Sequence, residues 1–95
     1  MTAVYASNFT NFMYVIAADI LRKNGIPFEL LTPIIRQTAT NVTRPDLFDQ
    51  QTGPAIREDM KVIEDHLNML SLHAGYPELY DLVSKSIIKH KKRND

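Results

Sequence analysis

Apolar residues crowd almost every side of the stretch from Ala3 to Lys23: Val4, Tyr5, Phe9, Phe12, Met13, Val15, Ile16, Ile20 and Leu21. A helix that is apolar nearly all round is expected to be central and buried. Its polar exceptions, Ser7, Asn8 and Asn11, fall within about 100° of arc at helical spacing, on one strip of the first turns. Arg22, Lys23, Asn24 and Gly25 end the helix, with cations at the negative pole of the dipole and glycine free to take a left-handed cap. Ile26-Pro27 reads as an extended connection. A second helix is predicted from about Phe28 to Val42, with Leu30, Leu31, Ile34, Ile35 and Ala39 inward. Pro33 either kinks it or marks its true start with Thr32 as cap.

Asn41 to Gln51 is polar and predicts a connector with one helical turn, anchored by Leu47 and Phe48. Thr52-Gly53-Pro54 signals a turn, and Pro54 suits the first position of a helix. From there to about Leu72, Ile56, Met60, Ile63, Leu67 and Leu70 recur at spacings of three and four, an amphipathic pattern with Asp59 as an alternative cap. Gly75-Tyr76-Pro77 separates it from a last helix, Pro77 to about Lys91, carrying Leu79, Leu82, Val83, Ile87 and Ile88. The expected fold is all-α: a single small helical domain of about four main helices, with no strand and no internal repeat.

Composition narrows the functions. At 95 residues and 44% hydrophobic, the chain suits one domain with one core. Eleven basic and eleven acidic residues cancel, so nothing global draws it to nucleic acid or an anionic membrane. The absence of Cys removes disulfides, thiolate catalysis and the commonest zinc sites. Asn8, Asn11 and Asp19 interrupt the one long apolar run, and no signal-peptide pattern precedes it, so a cytoplasmic location is expected. No glycine-rich phosphate loop is present, and no strand to precede one, so any nucleotide is expected to be held mainly by another domain.

Candidate chemistry concentrates in two places. Ser7, Asn8 and Asn11 offer amide and hydroxyl groups that cost roughly 1–3 kcal/mol to bury unpaired, so they either bind a ligand, or cap and bond helix backbones, or face solvent near a fraying helix end. Gln51-Thr52-Gly53-Pro54 through Arg57, Asp59 and His66 joins a turn, a cation, an acid and an imidazole. Asp59 and His66 lie seven apart on one helical face, so either the acid orients a proton-transferring imidazole, or Asp59 simply caps the helix, Arg57 is a buried-type arginine paired with an acid and His66 lies at the edge of the apolar face. His66 and His73 lack the i, i+4 spacing of a metal pair, and no metal site is expected. Lys89-His90-Lys91-Lys92-Arg93 reads as solvated cations at a helix C-terminus.

Three segments, Ala3-Val4-Tyr5-Ala6-Ser7-Asn8-Phe9-Thr10-Asn11, Gly25-Ile26-Pro27-Phe28-Glu29-Leu30-Leu31, and Gln51-Thr52-Gly53-Pro54 through Arg57, Asp59, Ile63 and His66-Leu67, stand in the order and spacing of domain of unknown function 2520. The chain closely resembles that family over nearly its whole length. Phe12 and Glu58 depart from it, where the family often has His and Gly. The resemblance implies a C-terminal helical domain, similar to that of 6-phosphogluconate dehydrogenase, following a Rossmann domain in NAD(P)-dependent oxidoreductases related to pyrroline-5-carboxylate reductase. It implies a fragment inactive alone, the N-terminal Rossmann domain lying outside these residues. Residues 1–95 would bind substrate and form a homodimer, with NAD(P) held by the parent protein. Ser7, Asn8, Asn11, Thr52, Gly53, Arg57 and Asp59 would contact a small-molecule substrate and His66 would be the proton donor. The competing expectation is a non-enzymatic helical module for self-association or protein interaction, motivated by Phe9, Phe12 and Tyr14 on the first helix.

Overall fold

The computed structural model describes residues 1–94 and is helical throughout, with no strand among the described residues. Four α-helices follow one another: α1 (Thr10–Lys23), α2 (Thr32–Asn41), α3 (Met60–Met69) and α4 (Tyr76–Asn94). The chain divides into two compact units, the first Met1–Pro45 and the second from Asp46 onward.

In the first unit a π-helical segment, Val4–Phe9, runs directly into α1. Its wider i→i+5 turns leave carbonyls without ordinary helical partners, and the Thr10 hydroxyl donates to one of them, Tyr5 O, at 2.9 Å. Tyr5 and Phe9 meet edge to face, centroids 5.1 Å apart. At the far end Gly25 N–H donates to Arg22 O (3.1 Å) and Ile26 N–H to Leu21 O (2.9 Å). This is a Schellman closure, and it places Gly25 at φ 68°, where a side chain would be strained. Pro27 is extended at ψ 137°, and a 3-10 turn, Phe28–Leu31, leads into α2 and packs against α1. Pro33 lies in the first turn of α2 and breaks nothing there. Thr32 is not the cap; Leu31 holds that position and makes no side-chain capping bond.

The central, buried helix expected at the N-terminus is not observed. Neither the π segment nor α1 contains a buried residue; Tyr5, Phe9 and Phe12 are 65%, 50% and 51% exposed. One short helix and a 3-10 turn are too few neighbours to cover a helix apolar on all sides. For the same reason Leu30 and Ile34, expected inward, are largely exposed, and Ala39 is exposed too.

The second unit holds the buried residues among the described ones: Ala55, Ile63 and Ser84. The connector contains the expected single turn, Leu47–Asp49, but Phe48 is 86% exposed and anchors nothing. The helix expected from Pro54 to Leu72 is instead two pieces. Residues 54–57 make one helical turn, closed when Glu58 N–H donates to Ala55 O (3.0 Å) and Asp59 N–H to Pro54 O (2.9 Å). This repeats the hydrogen-bond pattern at Gly25, yet the left-handed position is occupied by Glu58, at φ 52°. Asp59 then caps α3, its carboxylate accepting from Val62 N–H at 3.3 Å. Along α3 Ile63 is buried and Leu67 half-buried, whereas Met60 is exposed. On α4, Leu82 and Val83 are exposed rather than inward.

The cationic end of α4 is not simply solvated. Lys91 Nζ donates to Ile56 O at 3.0 Å, and Lys91 and Lys92 stand 4.0 and 3.8 Å from the Glu58 carboxylate. α4 is thereby tied back to the turn that precedes α3. A left-handed non-glycine residue costs about 1–2 kcal/mol. Because Glu58→Gly and Glu58→Ala lose the same lysine contacts, their comparison isolates the backbone: the Gly variant should be the more stable by about 1 kcal/mol in urea unfolding, the reverse of the order in a helix interior.

Candidate functional site

Ser7 and Asn8 lie within the π-helical segment and Asn11 in the first turn of α1. All three are exposed, and none makes a side-chain hydrogen bond among the described residues. Their donors and acceptors are available to a ligand. A π turn inside a helix is a feature often found at functional sites, because it displaces side chains from the regular helical register.

The second unit assembles the remaining candidates from the turn upward. Thr52 is exposed, and Gly53 precedes the turn at φ 102°. Arg57 occupies the last position before the left-handed Glu58. Its guanidinium is exposed and has no partner among the described residues, so it presents five donors suited to a carboxylate or phosphate. It is not the buried, acid-paired arginine of a structural core. Asp59 takes the capping alternative: its carboxylate serves Val62 N–H and makes no bond to His66.

His66 is oriented by a residue the sequence did not single out. Its Nδ1 lies 2.7 Å from Tyr80 Oη, and the rings meet edge to face with centroids 5.7 Å apart. Tyr80, Ser84 and Lys91 lie on one side of α4, at offsets of four and seven, and this side faces α3 and the 54–59 turn. Both His66 and Tyr80 are half-buried, and burial pushes the Tyr80 phenol above its ordinary value. Fourteen positions separate the pair, so no local spacing reveals it; Tyr80 reads simply as part of a final amphipathic helix.

His73 is elsewhere, in the loop after α3, stacked on Tyr76 with centroids 5.6 Å apart and planes 10° from parallel. Its Nδ1 has no partner among the described residues. Among the described residues no group of three or more His, Cys, Asp or Glu side chains could hold a metal ion, and no helix is long and apolar enough to cross a membrane.

The four helices and their polar turn define a small all-α domain. The chain belongs to the family described as Domain of unknown function (DUF2520), whose pattern matches residues 1–87. The crystal structure of the putative NADP oxidoreductase BF3122 from Bacteroides fragilis contains a closely similar part, with a TM-score of 0.89 and 44% sequence identity over 93% of this chain. That match takes in 34% of the Bacteroides chain, so the present sequence spans about a third of it. A comparison with curated proteins finds no match.

The Tyr80 phenol carries a pH signature. A group whose value is raised on folding keeps its proton while the unfolded chain loses it, so stability holds below about pH 10 and falls as pH rises toward the folded value. Absorbance titration of the phenols should show one tyrosine ionising late, and Tyr80→Phe should remove that late step.

Proposed function

We propose that this chain is the substrate-binding and dimerisation domain of an NADP-linked oxidoreductase and works only with a Rossmann domain that presents the cofactor. The observation that carries the reading is the 44% identity, at a TM-score of 0.89, to one third of a protein named as an NADP oxidoreductase. The chemistry of the chain agrees with a supporting role: it has no glycine-rich phosphate loop, and its exposed polar groups suit a small ligand better than a dinucleotide. In the parent protein the dinucleotide domain precedes this one, and NADP, bound there, supplies hydride-transfer chemistry. The architecture is that of the 6-phosphogluconate dehydrogenase C-terminal class, in the cytoplasm.

Within that frame, Arg57 is the anion anchor. Its guanidinium sits on a turn closed by two backbone bonds and is free to form a bidentate pair with a substrate carboxylate. Ser7, Asn8, Asn11, Thr52 and Gly53 are the further candidates for hydrogen bonds to substrate. Asp59 contributes by fixing the start of α3, and His66, on the same helix, is the proton donor.

A second reading, a helical module for self-association or protein interaction, is favoured by the exposed apolar row Tyr5, Phe9, Phe12 and Val15. In the oxidoreductase the same row serves the homodimer.

The decisive test uses the polypeptide as its source cells make it. Under the oxidoreductase reading it is about three times the length of this chain, binds NADPH by fluorescence titration, and oxidises it with a small carbonyl or imine acceptor. Asn8→Ala and Arg57→Ala should keep NADPH affinity and raise KM for the acceptor at least tenfold, about 1.4 kcal/mol or more of lost binding. A native polypeptide of this size alone, or variants with unchanged kinetics, would overturn the reading. Light scattering should give a dimer, and a Phe9→Asp, Phe12→Asp double variant should shift it toward monomer.

A further inference from the structure

The contact between His66 and Tyr80 determines more than ring orientation. A neutral imidazole carries one proton, and its location decides which nitrogen donates. Nδ1 stands 2.7 Å from the Tyr80 hydroxyl, and Nε2 has no partner among the described residues. Among the described residues the hydroxyl has no other acceptor, and a phenol is a better donor than acceptor. Its neutral form persists well above neutral pH, because burial disfavours the phenolate. The arrangement satisfying both groups has Tyr80 O–H donating to an unprotonated Nδ1.

We infer that Tyr80 is a positioning residue for His66, holding the neutral imidazole as the Nε2–H tautomer so that Nε2–H is the group offered to a ligand. The inference rests on the reading of His66 as the donor to substrate and names what that donor recognises. An Nε2–H donor takes an acceptor atom, such as a carbonyl or carboxylate oxygen or an imine nitrogen, and rejects a ligand group that can only donate, such as an ammonium or amide N–H. Tyrosine suits the task better than the carboxylate expected at Asp59. A carboxylate against Nδ1 demands a proton on that nitrogen and so favours the Nδ1–H form or the imidazolium. A hydroxyl donates to neutral Nδ1, and by rotating can accept from Nδ1–H should the ring become charged. Tyr80 therefore holds the ring in place. The edge-to-face ring contact at 5.7 Å restrains rotation about the imidazole bond.

Nitrogen-15 NMR of the histidine-labelled chain at a pH where His66 is neutral reads the tautomer directly. The expected spectrum has a pyridine-type Nδ1 and a pyrrole-type, protonated Nε2 for His66. In Tyr80→Phe, which keeps the ring and loses only the hydroxyl, both resonances should move toward the averaged position of an unrestrained imidazole, while those of His90 stay in place. A protonated, pyrrole-type Nδ1 in the unmodified chain, or unmoved resonances in a folded Tyr80→Phe variant, overturns the inference. Should that variant fail to fold, the spectrum of the unmodified chain still decides. His66→Gln in the NADPH-oxidising parent tests the separate reading. Unchanged turnover there would remove His66 as donor and leave the tautomer result standing; a mobile tautomer with turnover lost would do the opposite.

Discussion

Asp59 makes hydrogen bonds in two directions at once. Its backbone N–H closes the preceding turn onto Pro54 O at 2.9 Å, and its carboxylate opens α3 by accepting from Val62 N–H at 3.3 Å. A turn therefore ends and a helix begins at one residue, leaving no slack between them. Two of the three buried residues described in this unit lie close to that corner in sequence: Ala55 just before it and Ile63 one turn after. Lys91 reaches Ile56 O at 3.0 Å and joins the far end of α4 to the same corner. A part-buried charged donor on a carbonyl contributes more than an exposed ion pair, which is worth about 0–1 kcal/mol.

The corner also sets the chemistry. It places Arg57 on the outside of a closed turn with no acid paired to it among the described residues, and it fixes where along α3 His66 stands. Lys91 holds α4 in the register that puts Tyr80 against His66. Strain is accepted to achieve this: Glu58 takes the left-handed conformation that glycine occupies at the equivalent turn after α1, and two lysines lie beside its carboxylate. The departure of this chain from the family pattern at Glu58 thus falls on a position where the backbone favours glycine.

In the first unit the governing fact is a shortage of neighbours. A helix with Tyr5, Phe9, Phe12, Met13 and Val15 exposed along it has more apolar surface than α2 and a 3-10 turn can cover. Such a surface fits a domain that works against others, which agrees with the likeness to one third of a longer oxidoreductase. The π-helical start, with Ser7 and Asn8 in it, lies on the same element.

The all-α class and several of the helix boundaries were determined by local rules. Gly25 capped where it was expected, Pro27 was extended, Pro33 sat in a first turn, and Asp59 capped a helix, because each of these depends on the backbone chemistry of one or two residues. Burial was not legible in the same way. Periodicity identifies an apolar face but not whether a neighbour covers it, so Tyr5, Phe9 and Phe12 of the first helix, Ile34, Phe48 and Leu82 read as inward and are exposed. Tertiary structure alone decided the partner of His66. Asp59, two turns away on the same helix, was the visible choice; Tyr80, on the next helix, reached the imidazole because α3 and α4 pack together and Lys91 closes their far end. Contacts between helices depend on how the chain returns on itself, and spacing within one helix carries no record of that.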